Sequence, residues 1–116
     1  MLLATQVYDE VLDIAQKICK AKNAKLYKTN KKDSTILEKI TQKKNWANYI
    51  KSNAQVALNA LDILNIKYDI KSLNSLTLFG RFHLIAPNIR IDVGHNTLAS
   101  QVIVEALDKK VVLIYN

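Results

Sequence analysis

Gly80-Arg81-Phe82 is followed, eleven residues after the arginine, by Asp92-Val93-Gly94-His95-Asn96. A cation, a carboxylate, an imidazole and an amide therefore fall around one short stretch of chain. A lone arginine is by default a surface cation, and a lone aspartate at a strand end is by default structural. Gathered together, the four outline a nucleotide or phosphate site, because a guanidinium carries the fixed donor fork that a pair of phosphate oxygens accepts. The elements around them agree. Ile89, Ile91 and Val93 alternate with Arg90 and Asp92 as in a strand, while Ala99, Val102, Ile103, Ala106 and Leu107 recur at helical spacing. The polar cluster thus sits where a strand turns into a helix. In open α/β sheets ligands bind there, against the N–H groups and the positive dipole end of the helix.

Upstream, Ser52-x-x-Gln55 has the form of a capping box, and Ala54, Ala57, Leu58, Leu61 and Leu64 follow at helical spacing. Asn53 is expected in the first turn of that helix. Its amide pairs a donor with an acceptor, the combination that matches the edge of adenine, although by its sequence position alone it is an ordinary helix-start residue.

Gly80-Arg81, Asp92-Val93-Gly94-His95-Asn96 and Asn53-Ala54-Gln55-Val56-Ala57-Leu58-Asn59-Ala60-Leu61 together resemble, in order and rough spacing, three motifs of folylpolyglutamate synthase and dihydrofolate synthase, glutamate ligases related to the Mur ligases. The likeness runs from about Asn48 to the end; the first half matches only loosely. The resemblance implies that Asn53 contacts the adenine of ATP, Arg81 its phosphates from an interdomain linker, and Asp92 the nucleotide through its ribose hydroxyls. His95 has two readings, a capping or structural hydrogen bond and a phosphate or substrate contact. Asn96 is expected to cap the next helix, and His83 is read as structural. Two departures concern prolines, replaced here by Phe79 before the Gly-Arg pair and by Thr97 after the His-Asn pair; both bear on backbone geometry more than on ligand chemistry. Gly94 stands where alanine is common.

The resemblance further implies an α/β fold, a partial Mur-ligase-like three-layer architecture with incomplete sheets and flanking helices. Residues 1–82 would be the end of a central ATPase domain and residues 83–116 the start of a carboxy-terminal Rossmann-like domain. The parent enzyme would use ATP and Mg2+ to make an acyl phosphate of dihydropteroate or a folate, which the amino group of L-glutamate attacks. Metal ligands and catalytic groups would lie in an amino-terminal ATPase portion, and none is assigned within this chain. The alternative is a non-catalytic nucleotide-binding or interaction module.

Length and composition fit that reading. At 116 residues with only Gly80 and Gly94 as glycines, the chain is short for an ATP-dependent ligase and has no Gly-x-x-x-x-Gly-Lys-Ser/Thr loop to wrap a triphosphate. Val111-Val112-Leu113-Ile114-Tyr115 reads as a strand buried on both faces, and Leu2-Leu3-Ala4-Thr5 as another, each needing neighbours. A fragment is therefore expected, with a small α/β protein that dimerises over its edges as the rival. The net charge of +7 includes nine lysines between Lys22 and Lys51, but arginine is limited to Arg81 and Arg90 and no nucleic-acid motif accompanies them. A solvated basic face that steers anionic ligands is the expectation, with no nucleic-acid partner. Cys19, the single cysteine, lies on an apolar helix stripe and reads as packing. No run is long enough for a signal or a membrane span, so a cytoplasmic protein is expected.

Elsewhere, Gln6 to Lys22 predicts a helix, with acids near its start and lysines near its end, and Ala24 to Lys28 a short strand completing a β-α-β-like piece. Thr29 to Lys44 has few apolar anchors and reads as a surface hairpin or mobile loop. Trp46 and Tyr49 are expected to pack its end to the core. Ile70 to Phe79 predicts a short helix or turn, and Pro87-Asn88 a turn before the strand.

Overall fold

The computed structural model describes residues 2–3, 8–29, 35–107 and 109–114. Ala4 and Thr5 of the expected first strand, Gln6 and Val7 of the expected first helix, residues 30–34 of the weakly patterned stretch and Tyr115 lie outside them. The chain divides into two compact units, residues 1–34 with 52–69 and residues 35–51 with 70–116.

In the first unit, β1 (Leu2–Leu3) pairs in parallel with β2 (Tyr27–Lys28), Leu2 opposite Tyr27. The expected β-α-β piece is therefore present, with α1 (Asp9–Ala21) as the crossover. Ala15 and Cys19, four residues apart, are its buried stripe, so the cysteine packs as expected. Asp9 and Glu10 in the first turn and Lys20 in the last complement the helix dipole. The chain leaves α1 through Asn23 at φ 48, and the Ala24 N–H closes on the Cys19 carbonyl at 2.8 Å. Most of α3 (Asn48–Ile63) also belongs here, with Leu58 and Asn59 buried and the Asn59 amide donating to the Gln55 carbonyl.

The second unit contains α2 (Thr35–Lys43), which corrects the expectation of a hairpin or loop. Two apolar residues and a threonine on one face suffice: Leu37 and Ile40 are nearly inaccessible, Thr41 satisfies its hydroxyl on the Leu37 carbonyl at 2.8 Å, and Ile36 stays exposed. Glu38 pairs with Lys51. A second correction concerns α3, which starts at Asn48, so Ser52 and Asn53 lie one turn inside it and Ser52 does not cap it. A 3-10 turn (Ile70–Asn74) follows, its Asn74 carbonyl accepting from Lys44 Nζ at 2.8 Å.

β3 (His83–Ala86) and β4 (Ile89–Ile91) form an antiparallel hairpin around the expected Pro87-Asn88 turn, where Asn88 takes φ 69. His83 faces Ile91 and Leu84 faces Arg90, with a register irregularity before Ala86. α4 (Thr97–Glu105) is capped as expected, the Asn96 side chain accepting from the Ala99 N–H at 2.8 Å. The core is Ala47, Ile50 and Phe82, covered by Trp46, Tyr49, Leu78, Ile103, Ala106 and Leu107. The expected last strand is not formed among the described residues: 111–114 carry no regular structure, with Val112 90% and Ile114 93% exposed. A strand forms only where a neighbour takes its N–H and C=O groups, and none does here. Among the described residues no helix is long and apolar enough to cross a membrane.

Candidate functional site

Arg81 stands between two residues in the left-handed region, Gly80 at φ 72 and Phe82 at φ 48. Glycine accepts that conformation freely; a phenylalanine held there costs about 1–3 kcal/mol. Specific bonds hold it. The Phe82 N–H donates to Asp92 Oδ2 at 2.7 Å, and the Phe82 carbonyl accepts from the Arg90 guanidinium at 3.1 Å. The same guanidinium lies 4.5 Å over the Phe82 ring, whose other surroundings are the apolar core. On the other side of Arg81, the Gly80 carbonyl accepts from the Val93 N–H at 2.9 Å. The turn is thus sewn to the segment that leaves β4.

Asp92 is the centre of this network. Its Oδ2 accepts from the Tyr49 hydroxyl as well as from Phe82, and its Oδ1 accepts from the Gly94 N–H at 2.8 Å. Three of its roughly four acceptor positions are therefore filled from within the chain. Tyr49 is presented by the first turn of α3. Burial, then the hydrogen bond and charge of Asp92, push its hydroxyl well above the usual tyrosine range, and the Arg81 charge pulls the other way. Tyr49 is consequently a fixed donor. Gly94 allows the close approach of this turn to α4: a Cβ there would stand 2.8 Å from Ile103 Cδ1 and 3.0 Å from Ala99 Cβ.

The Arg81 side chain is exposed and makes no hydrogen bond or ion pair among the described residues. It borders a cleft of about 250 Å³ whose lining includes Lys44, Trp46, Phe82, His83 and Arg90 but no carboxylate. Cations gathered at one opening with no acid among the described lining residues attract an anion of more than one charge. Lys44 also lies 5.9 Å over the Trp46 ring. Trp46 packs on the core, as expected. His83, half-buried with its ring edge-on to Phe79 at 5.3 Å, has a buried Nδ1 without a hydrogen-bond partner among the described residues.

His95 is exposed, and its Nδ1 lies 3.2 Å from the Val93 carbonyl, a local contact that leaves the rest of the ring open to solvent. Asn53 belongs to the first unit, exposed in the second turn of α3, its amide without a hydrogen bond among the described residues. The structure therefore bonds Asp92 to the turn that carries Arg81, while Asn53 lies in the other unit and is not brought into that network. Tyr49 packs on the core as expected, but its bond to Asp92 and the bond of Arg90 to the Phe82 carbonyl were not anticipated. Arg90 carried a signal, since residues two apart on a strand share a face and Asp92 follows it; Tyr49 had none. Among the described residues no group of three or more His, Cys, Asp or Glu is placed to hold a metal ion.

No family model matches the chain, and comparison with curated proteins gives no match. Among solved structures it is similar to Helicobacter pylori folylpolyglutamate synthetase, with 36% identity and a TM-score of 0.64, covering 90% of this chain and 28% of that one. The likeness read from the Asn53, Arg81 and Asp92 motifs thus extends to the three-dimensional structure, and the mixed helices and small sheets match an α/β portion of that fold. Over most of its length the chain resembles a little more than a quarter of a folylpolyglutamate synthetase.

Proposed function

We propose that these residues form the nucleotide-side portion of an ATP-dependent ligase that adds L-glutamate to dihydropteroate, to folates or to both through an acyl phosphate. One observation carries the reading: among the described residues Arg81 is exposed and without a partner beside a cleft that no acid lines, on a turn held in a costly conformation. Similarity to a folylpolyglutamate synthetase supports it. In this reading Arg81 takes the phosphates, Asn53 the base, the remaining acceptor position of Asp92 a ribose hydroxyl, and His95 a phosphate or substrate group. The residues present suit ATP in that their free groups are a phosphate-binding fork and an adenine-matching amide. The phosphate loop and the Mg2+ ligands would come from an amino-terminal ATPase portion outside these residues. Residues 1–82 would close that ATPase domain and 83–116 open the next, in a cytoplasmic enzyme acting without nucleic acid or membrane.

The test is calorimetric titration of the chain with ATP, alongside an assay for phosphate release with glutamate and folate. Weak ATP binding is expected, loosened about tenfold or more by Arg81→Ala, since a charge-assisted bidentate contact is lost. No glutamate-dependent phosphate release is expected from the chain alone; such release would overturn this division of labour. A second reading, a nucleotide-binding or protein-interaction module without chemistry, is favoured by the exposed apolar run Val111–Ile114. Adding the amino-terminal portion of a related ligase discriminates, because turnover appears only if the first reading holds.

A further inference from the structure

We propose that Tyr49 and Arg90 are positioning residues for Arg81, holding the Gly80-Arg81-Phe82 turn in the shape that presents the guanidinium to a phosphate chain. The inference rests on the phosphate-binding reading of Arg81 given above. A turn with left-handed residues on both sides of Arg81 is not what this sequence adopts by local preference, because Phe82 is disfavoured there. Its peptide groups are fixed one by one. Gly80 O is held by the Val93 N–H, Phe82 N–H by Asp92 and Phe82 O by Arg90. Asp92 can hold Phe82 only while its own carboxylate is oriented; the Gly94 N–H fixes Oδ1, and the Tyr49 hydroxyl, from 43 positions away in the chain, fixes the same Oδ2 that accepts from Phe82. Arg90 adds a second constraint, one nitrogen on the carbonyl and its plane over the ring. Remove either and the turn can relax toward ordinary backbone angles, which re-aims Arg81. Tyr49 does not line the cleft and need not touch the ligand; Arg90 does line it, and the Arg81→Ala background separates its action through the turn from a direct contact.

A purely structural role would weaken every property of this unit alike, whereas a role through Arg81 disappears when Arg81 is absent. Binding of ATP and, separately, of adenosine to the 116-residue chain is followed by the fluorescence of Trp46, the single tryptophan, which lines the cleft. Tyr49→Phe and Arg90→Lys are each expected to weaken ATP binding about three- to tenfold, to leave adenosine unchanged, and to have no further effect in the Arg81→Ala background. Hydrogen exchange of the Phe82 amide is expected to rise about tenfold in Tyr49→Phe, well below its melting temperature. No ATP binding by the unaltered chain, or no loss in Arg81→Ala, overturns the reading of Arg81 and this inference with it. A loss in Arg81→Ala with none in Tyr49→Phe or Arg90→Lys overturns the inference alone. So does equal loss for ATP and adenosine, loss that persists without Arg81, or an unchanged Phe82 amide.

Discussion

Replacing Asp92 by asparagine keeps the size of the side chain and removes one of two acceptor oxygens together with the negative charge. Three donors point at the carboxylate, two at Oδ2 (the Tyr49 hydroxyl and the Phe82 N–H) and one at Oδ1 (the Gly94 N–H). An asparagine has a single oxygen, so it will turn that oxygen toward Tyr49 and Phe82 and set its NH2 against the Gly94 N–H, donor against donor. One hydrogen bond is lost and the other two lose their charge assistance, a cost of about 2–4 kcal/mol. For a chain of this length each kcal/mol lowers the melting temperature by roughly 4 °C, so a fall of about 8–16 °C is expected. Trp46 lies in the same unit as Asp92, and its fluorescence during thermal and urea unfolding reports that unit directly. Asp92→Ala, which strands the Phe82 N–H as well, is expected to cost more than Asp92→Asn. A melting temperature for Asp92→Asn within about 2 °C of the unaltered chain would refute the claim that this carboxylate organises the turn.

Leu37 is the most completely buried large side chain among the described residues, at 1% exposure, and Leu37→Ala is expected to cost about 2–5 kcal/mol in urea unfolding. Gly80→Ala meets both the left-handed φ and a Val93 methyl at 3.0 Å, and should cost about 1–3 kcal/mol, read as a fall in urea midpoint. Tyr49 keeps its proton in the fold at pH values where an unfolded tyrosine, near about 10, has lost it; its contribution is therefore complete below that pH and fades as pH rises above it. Tyr49→Phe should flatten the loss of stability above about pH 10, measured by urea midpoints. If Asp92 also meets a ribose hydroxyl, 2′,3′-dideoxy-ATP should bind the unaltered chain less tightly than ATP, and Asp92→Asn should shrink that difference in a calorimetric titration.

Local patterns in the sequence located most of the secondary structure of the second half and the place of the cluster. The Ile89–Ile91 alternation, the Pro87-Asn88 turn and the Asn96 cap all act over a few residues, and each is where its pattern put it. α2 was missed because its three core anchors, Leu37, Ile40 and Thr41, are diluted by lysines and polar residues, and only packing reveals that they share a face. The start of α3 was misplaced because Ser52-x-x-Gln55 imitates a cap, while Ile50, buried against Phe82 one turn earlier, supplies the tertiary reason for the helix to begin at Asn48. Val111–Ile114 has strand composition and no strand partner among the described residues, so β-propensity had nothing to act on. Tyr49 was illegible for a different cause: its role comes from a bond to Asp92 across 43 positions, and no local pattern encodes that distance.

The same bond bears on how the site residues should be read. A carboxylate next to an arginine in a strand-to-helix turn suggests a ligand contact, yet most of the hydrogen-bonding capacity of Asp92 is spent on Tyr49, Phe82 and Gly94. Loss of nucleotide affinity in an Asp92 variant therefore does not by itself reveal a ribose contact, because the variant also frees the turn that aims Arg81. The two roles separate by what else changes. A residue that only touches ligand alters affinity at constant stability, whereas one that builds the turn alters both and does so through Phe82. Since Arg81 has no partner of its own among the described residues, its aim depends on backbone geometry, and that geometry is held by a tyrosine, an aspartate and a second arginine whatever else they meet. On the proposed reading the cation and the bound acid act as one device, the acid fixing the backbone that aims a cation with no partner among the described residues.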